Sequence, residues 1–273
     1  MKISVIIPVL NDADQLDLRL RELLPDGGWH QVIVVDGGST DMTREVALRH
    51  GAPLLESQPG RGVQMNRGGE WAEGDVLLFL HADTILPVGG RDAIIAALRN
   101  PRIAGGCFRL RFDAPGLLLG ISAWATRLPI PIIHYGDSAF FVRRDAFALL
   151  GGYRPYPIME DLDFWLRLRK SFRTQILRHQ VTTSARRLRR WGVLRGQALS
   201  ALLVFMFLLG VDPERLCEIY QQRQHRVRSR GASRGSDAIT AEAGGWQKRT
   251  DHAYGRSEFR HGHLRAGSSR TRR

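Results

Sequence analysis

An α/β fold, with a mostly parallel sheet between two layers of helices, is what this sequence predicts. Short β-branched runs alternate with stretches of helical spacing through the first hundred residues, the pattern of strand–helix–strand units. Three of those runs stop at a polar residue, Asn11, Asp36 and Asp83. Ligands of such sheets bind beyond the carboxyl ends of the strands, so three polar residues delivered to one edge mark a site.

Ile3–Val9 is a continuous apolar run and reads as a strand buried on both faces. Residues 14–24 place leucines at 16, 20, 23 and 24, a helical spacing closed by Pro25 and Gly27-Gly28. A second buried strand covers 32–35. Ser39 or Thr40 is expected to cap the helix that runs towards His50, with Asp41 in its first turn. Residues 76–80 form a third apolar strand, followed by His81-Ala82-Asp83. Further on, Ile103–Phe112 and 138–142 read as strands, 143–150 as a short helix, and 160–170 as a strongly patterned helix. Residues 188–209 are expected to be helical, and Pro213 opens a further helix at a helix-start position.

The chain has 273 residues, 43% of them hydrophobic, enough for one substantial core. Its net charge of +13 is uneven, since residues 222–273 hold 13 Lys and Arg against 4 Asp and Glu. Periodicity stops at Gln222, and the remainder reads as a basic, disordered tail. The expected divisions are therefore a catalytic domain over 1–190, apolar helices over 191–221 and the tail over 222–273. Cys107 and Cys217 are too few for a disulfide framework and are expected as buried free thiols. The N-terminal apolar run is too short for a signal peptide, which points to a cytoplasmic location.

Four motifs in order bring a family into view. They are Ser4-Val5-Ile6-Ile7-Pro8-Val9-Leu10-Asn11, Val34-Val35-Asp36-Gly37-Gly38-Ser39-Thr40-Asp41, Leu80-His81-Ala82-Asp83, and Glu160-Asp161 ahead of Leu162-Asp163. Together, over about residues 1–190, they resemble glycosyltransferase family 2. Gly60-Arg61-Gly62-Val63-Gln64-Met65-Asn66, His81-Ala82-Asp83-Thr84 and Ser184-Ala185-Arg186-Arg187 most resemble its rSAM/selenodomain-associated transferase 2 subgroup.

The resemblance implies a GT-A fold, an αβα sandwich around a mostly parallel mixed sheet, that binds a nucleotide-sugar and inverts the anomeric centre. It assigns Asp161, beside Glu160, as the general base for an acceptor hydroxyl, kept ionised by the positive end of its helix. Pro8, Asn11, Asp36, Ser39, Arg61, Asn66, His81, Ala82 and Asp83 are the expected nucleotide-sugar residues. Asp36 is placed for a nucleobase or ribose hydroxyl, while Ser39 and Asp41 suit capping equally well. Asp83 matches the last carboxylate of the family's Asp-x-Asp motif and is the expected ligand of Mg²⁺ or Mn²⁺. His81 stands where that motif has its first aspartate, leaving one protein carboxylate, so the cation is expected to lean on the diphosphate. Gly60-x-Gly62 lacks the third glycine of a dinucleotide fingerprint, so a phosphate turn and a plain turn both remain open. Asp137, Arg186 and Arg187 are read as acceptor or diphosphate contacts, with a turn role and a solvated basic face as their alternatives. Asp163 and Arg167 are assigned support of the site, and His134 and His179 no role in it.

Residues 198–211 are strongly apolar and follow Arg186, Arg187, Arg189, Arg190 and Arg195, the composition of a segment lying in the interface of an anionic bilayer. Residues 116–125, with Trp124, can dock beside it. That placement, peripheral on the inner face of the membrane, suggests a lipid-like or isoprenoid acceptor. Burial in a core or dimer contact is the competing reading, and the stretch is too short for an ordinary span. A sugar-phosphate nucleotidyltransferase is the nearest enzymatic rival, but it needs a glycine-rich loop where this chain has Pro8-Val9-Leu10-Asn11. A non-catalytic adaptor for membrane or nucleic acid is the other. Nucleic acid is disfavoured, because the tail has no recognition motif and few aromatics.

Overall fold

The computed structural model describes residues 1–25, 28–128, 130–134 and 136–232. Its strands are β1 (Ile3–Val9), β2 (Gln31–Asp36), β3 (Leu54–Glu56), β4 (Val76–Phe79), β5 (Thr84–Ile85), β6 (Ile103–Phe112), β7 (Phe140–Arg143) and β8 (Arg173–Thr183). They form one sheet in the order β3-β2-β1-β4-β7-β6-β8-β5. β3, β2, β1 and β4 run parallel, β7 is antiparallel to both β4 and β6, and β8 is parallel to β6. This is the mixed, mostly parallel sheet expected of the GT-A architecture.

The helices are α1 (Ala13–Leu23), α2 (Thr43–Arg49), α3 (Arg61–Trp71), α4 (Gly90–Leu98), α5 (Leu117–Ala125), α6 (Arg144–Leu149), α7 (Glu160–Ser171), α8 (Arg186–Trp191), α9 (Val193–Leu208) and α10 (Pro213–Ala232). Because side chains alternate along a strand, β1 serves two cores. Ile3, Val5, Ile7 and Val9 face Leu16 and Leu20 of α1, Val46 of α2 and Ile94 of α4. Ile6 faces the opposite layer, with Met65 of α3, Phe147 of α6 and Phe164, Trp165 and Leu168 of α7. A smaller cluster joins Leu199 and Leu203 of α9 to Leu216 of α10, packed against Ile158 and Met159.

Several expectations are corrected. The helical stretch over 188–209 is divided into two helices, because Gly192 takes φ +81°, a left-handed conformation natural to glycine. Helix α2 starts at Thr43 with Met42 before it, so neither Ser39 nor Thr40 caps it. Helix α10 continues past Gln222 to Ala232, and the rest of the expected tail, 233–273, lies outside the described residues. Cys107 is buried, but Cys217 is only half-buried; both are free. Strand β8 escaped the sequence reading because charged and polar residues interrupt it; it pairs along ten-residue β6 and sends only Leu177 and Val181 fully into the hydrophobic core.

Candidate active site

The carboxyl ends of β1 and β2 form the first part of the site. Val9 pairs with Asp36 across the two strands, and Pro8, buried within β1, pairs with Val35. Asn11 leaves β1 at φ +52°, a left-handed conformation that asparagine tolerates. Its side-chain oxygen accepts the Thr40 N–H at 2.7 Å, and its own N–H donates to the Ser39 hydroxyl at 2.9 Å. Asp36 is fully buried and accepts the Ser39 N–H at 3.0 and 3.1 Å and Arg44 Nε at 2.6 Å. Asp41 accepts the Thr43 N–H at 3.0 Å, which explains it as a turn residue. Gln64, buried on α3, donates to the carbonyls of both Val9 and Val35 at 2.8 Å and so locks the two strand ends together.

Beyond β4 lies a cluster that spacing along the chain conceals. Ligand atoms of His81, Asp83 and Asp137 all lie within 4.8 Å of one another. His81 Nδ1 is 2.7 Å from Asp137 Oδ1. Desolvation alone would lower the His81 pKa, but the Asp137 carboxylate outweighs it and raises the value. Two carboxylates and an imidazole are a donor set suited to a small divalent cation, so these residues fit one without relying on a single aspartate. Asp137, expected as an acceptor or diphosphate contact, stands beside His81 and Asp83, although 56 positions separate it from His81 in the sequence. Beneath the loop, buried Arg19 of α1 donates from Nε to the Ala82 carbonyl at 3.3 Å and pairs with Glu22. Sequence reading missed Arg19, yet a signal existed: it sits on the same face as Leu16, Leu20 and Leu23, where an arginine has no business without partners.

The third part is the start of α7. Met159 at φ +67° turns the chain so that Glu160, Asp161 and Asp163 all fall in the first helical turn and are buried. Burial pushes the Asp161 carboxyl up to about 7, Glu160 and Asp137 push the same way, and His81 and Arg61 oppose them, so the helix end does not keep it ionised as expected. Those causes place Asp161, Glu160, Arg61, His81 and Asp137 in one electrostatic neighbourhood. Arg61 Nη1 lies 3.9 Å from Glu160 Oε1; desolvation works against its charge, but Glu160, Asp161 and Asp137 overcome that and raise its pKa. A Cβ on Gly62 would meet the Arg154 carbonyl at 2.7 Å, so glycine there is what lets α3 approach the loop before α7. Asp163 is held by Arg154 at 3.1 Å and Arg167 at 2.7 Å, a supporting role. Tyr153, also unforeseen, stacks on Phe164, and its buried hydroxyl has no hydrogen-bond partner among the described residues.

Other expected contacts fall elsewhere. Asn66 both donates to the Tyr153 carbonyl and accepts the Tyr153 N–H, each at 2.8 Å, so it holds the loop before α7 rather than pointing to a ligand space. Arg186 reaches Asp12 at 3.3 Å, closing α8 against the loop after β1; the Arg187 side chain lies outside the described residues. Burial raises the Asp12 pKa, Arg186 opposes it, and Asp83 adds to the rise. His134 is buried and bonded to the Leu128 carbonyl, away from this chemistry. An open cleft of about 420 Å³ runs along α5, lined by Arg111, Asp113, Leu119 and Ala123, and does not coincide with the acid cluster.

Comparison with known proteins fits this geometry. An uncharacterised glycosyltransferase of Mycobacterium tuberculosis is 33% identical over 97 residues, which are 35% of this chain and 43% of that protein. Glucosyl-3-phosphoglycerate synthase of the same organism is 32% identical over 96 residues, 31% of this chain and 30% of that one. The matches thus span less than half the length of these relatives. The crystal structure of that synthase with Mn²⁺, UDP and glucosyl-3-phosphoglycerate superposes with a TM-score of 0.50 at 21% identity, over 67% of this chain and 70% of that chain. TarS 1–349 of S. aureus superposes with a TM-score of 0.54 at 19% identity, over 68% and 61%. Those structures share the fold. The model of glycosyl transferase family 2 matches residues 4–150, more than half of the sequence and all of the first two parts of the site, and the chain belongs to that family.

Proposed function

We propose that this protein transfers a sugar from a nucleoside-diphosphate sugar to an acceptor hydroxyl, with inversion at the anomeric carbon. The observation that carries the reading is the shared neighbourhood of a buried, proton-seeking carboxylate and a cation-binding set at the sheet edge. Asp161 takes the proton of the acceptor hydroxyl. The freed oxygen attacks the anomeric carbon in line, the bond to the diphosphate oxygen breaks, and the nucleoside diphosphate leaves with that electron pair. Asp83, Asp137 and His81 are the residues to hold a divalent cation, Mg²⁺ or Mn²⁺, whose chemistry when bound is to offset charge on the departing diphosphate. Arg61, partly exposed at the start of α3, offers a fork of donors to the same group.

Asn11, Ser39 and Asp36 sit where the nucleoside belongs. The three internal bonds of Asp36 leave one lone pair for a ribose or base, because a carboxylate offers about four acceptor sites. The relative solved with Mn²⁺ and UDP supports a uridine nucleotide as the first donor to try. The acceptor is, on this reading, lipid-like or isoprenoid, since α9 packs one face against Met159, next to the base, and leaves its other face apolar and exposed. The test is transfer or hydrolysis of UDP-, GDP-, ADP- and dTDP-sugars with Mn²⁺, with and without EDTA. Turnover should vanish with chelation, and Asp161→Asn should lose turnover while binding donor as the wild type does. A variant that still turns over removes Asp161 from the chemistry.

A further inference from the structure

An exposed apolar surface outside the acid cluster is shared by α5 and α9. On α5, Leu117, Leu118, Ile121 and Trp124 are exposed at helical spacing. On α9, Leu194, Leu202, Phe205, Leu208 and Leu209 continue the stripe, Leu209 just past its end, while Leu199, Leu203 and Val204 on the opposite face are buried. Leu117 is 82% exposed, Trp124 56%, Phe205 59% and Leu209 68%. The two helices touch, with Gln197 Nε2 donating to the Leu118 carbonyl at 3.3 Å. Ile130 and Ile132, exposed around the 3₁₀ turn Pro131–Ile133, follow α5 directly in the chain. Isolated exposed leucines need no explanation, but a two-helix apolar face does.

Charge identifies what covers it. Between Thr183 and Asp212, the stretch that holds α8 and α9, the sequence has five arginines and no Asp or Glu. Between Asp113 and Asp137 it has Arg127 and again no acid. Arg127, two residues past α5, Arg189 of α8 and Arg195 of α9 are all exposed. A second copy of the chain would bring this arginine-bordered face against itself, because a two-fold contact pairs like with like. Residues 233–273 carry nine Lys and Arg against four Asp and Glu, so that segment is repelled too. An anionic surface with an apolar interior satisfies both features.

We infer that the α5–α9 face docks this protein on the surface of an anionic lipid bilayer, the arginines meeting the headgroups and the leucines, Trp124 and Phe205 entering the acyl boundary. No described helix is long and apolar enough to cross a membrane. The 16 residues of α9 reach roughly 24 Å, short of a roughly 30 Å hydrocarbon core, so it lies in the plane. The buried side of the same helix contacts Met159, which precedes Glu160 and Asp161, so docking sets the start of α7 close to the bilayer. That the bilayer supplies the acceptor rests on the transfer reading above; the docking does not.

The experiment is sedimentation of the full-length chain with vesicles of phosphatidylcholine, with and without phosphatidylglycerol, and with no nucleotide-sugar present. Lipid binding is thereby read apart from turnover. Wild type should sediment with the anionic vesicles, and brominated acyl chains should quench its fluorescence through Trp124, an effect lost in Trp124→Phe. Leu202→Glu/Phe205→Glu should abolish binding. Arg127→Ser/Arg195→Ser, which leaves the apolar face untouched and serves if the glutamates disturb folding, should weaken it on the order of tenfold. Sedimentation unchanged in both double variants would assign binding to the basic C-terminal segment and overturn the inference. So would the absence of binding, or a wild-type dimer that the glutamates convert to monomer.

Discussion

Asp161 provides a test in which stability and activity move in opposite directions. Folding raises its carboxyl from 3.8 to about 7, chiefly by burial and then by Glu160. A carboxyl weakened in this way holds its proton more tightly in the folded chain than in the unfolded one. Its protonated form therefore favours folding, and that advantage drains away as pH rises from the unfolded value through about 7. At about 1.4 kcal/mol per factor of ten in acidity, the full effect is on the order of 4 kcal/mol, more than half of it accruing between pH 5 and pH 8. Asparagine has nearly the same shape and cannot ionise, so Asp161→Asn should unfold later than wild type in cation-free buffer. At pH 8 the gain should be on the order of 10 °C, and at pH 5 clearly smaller. Thermal unfolding by circular dichroism at the two pH values measures it. A gain equal at both, or none at pH 8, would show that Asp161 is not the strained acid described here. With the cation bound, kcat/KM of wild type should still fall on the acid side, at a pH drawn below that of the cation-free protein by the cation's charge, because only the ionised carboxylate accepts the acceptor's proton.

Three further outcomes follow from neighbouring contacts. Asp137→Ala should weaken Mn²⁺ binding by at least tenfold in a calorimetric titration, since even groups one layer outside a metal commonly matter by that factor; unchanged affinity would remove Asp137 from the cation set. Gln64→Leu should leave the Val9 and Val35 carbonyls without their buried donor, at a cost of about 2 kcal/mol or more in urea unfolding, and should also raise the donor KM. Arg19→Met exchanges a buried charge for an apolar chain of similar length, so stability should change little, within ~1 kcal/mol, while cation affinity falls because the Ala82 carbonyl is no longer held. A donor KM untouched by Gln64→Leu, or a cation affinity untouched by Arg19→Met, would reduce that residue to a structural part.

Local patterns decide some parts of this protein and long-range packing the others. The runs at Ile3–Val9 and Ile103–Phe112 are strands as their residues alone dictate, and α3 and α7 begin at Arg61 and Glu160 as their glycine and acidic signals indicate. Asp36 and Asp83 are legible because a polar residue ending an apolar strand stands out against it. Asp137 is not legible in the same way. It lies in a short loop whose composition suits a turn, and only the antiparallel return of β7 beside β4 brings it to His81. The division of the helical stretch at Gly192 likewise depends on the backbone that surrounding contacts select, because glycine permits both outcomes.

Sequence by itself therefore determined the strand–helix alternation, the polar residues at the strand ends and the family, since each depends on residues adjacent along the chain. Tertiary structure alone decided which acids share a field, that Asn66 serves a loop, and which sides of α5 and α9 stay bare. Those outcomes depend on distances between segments tens of residues apart, and electrostatic and packing energies follow distance in space rather than separation in sequence.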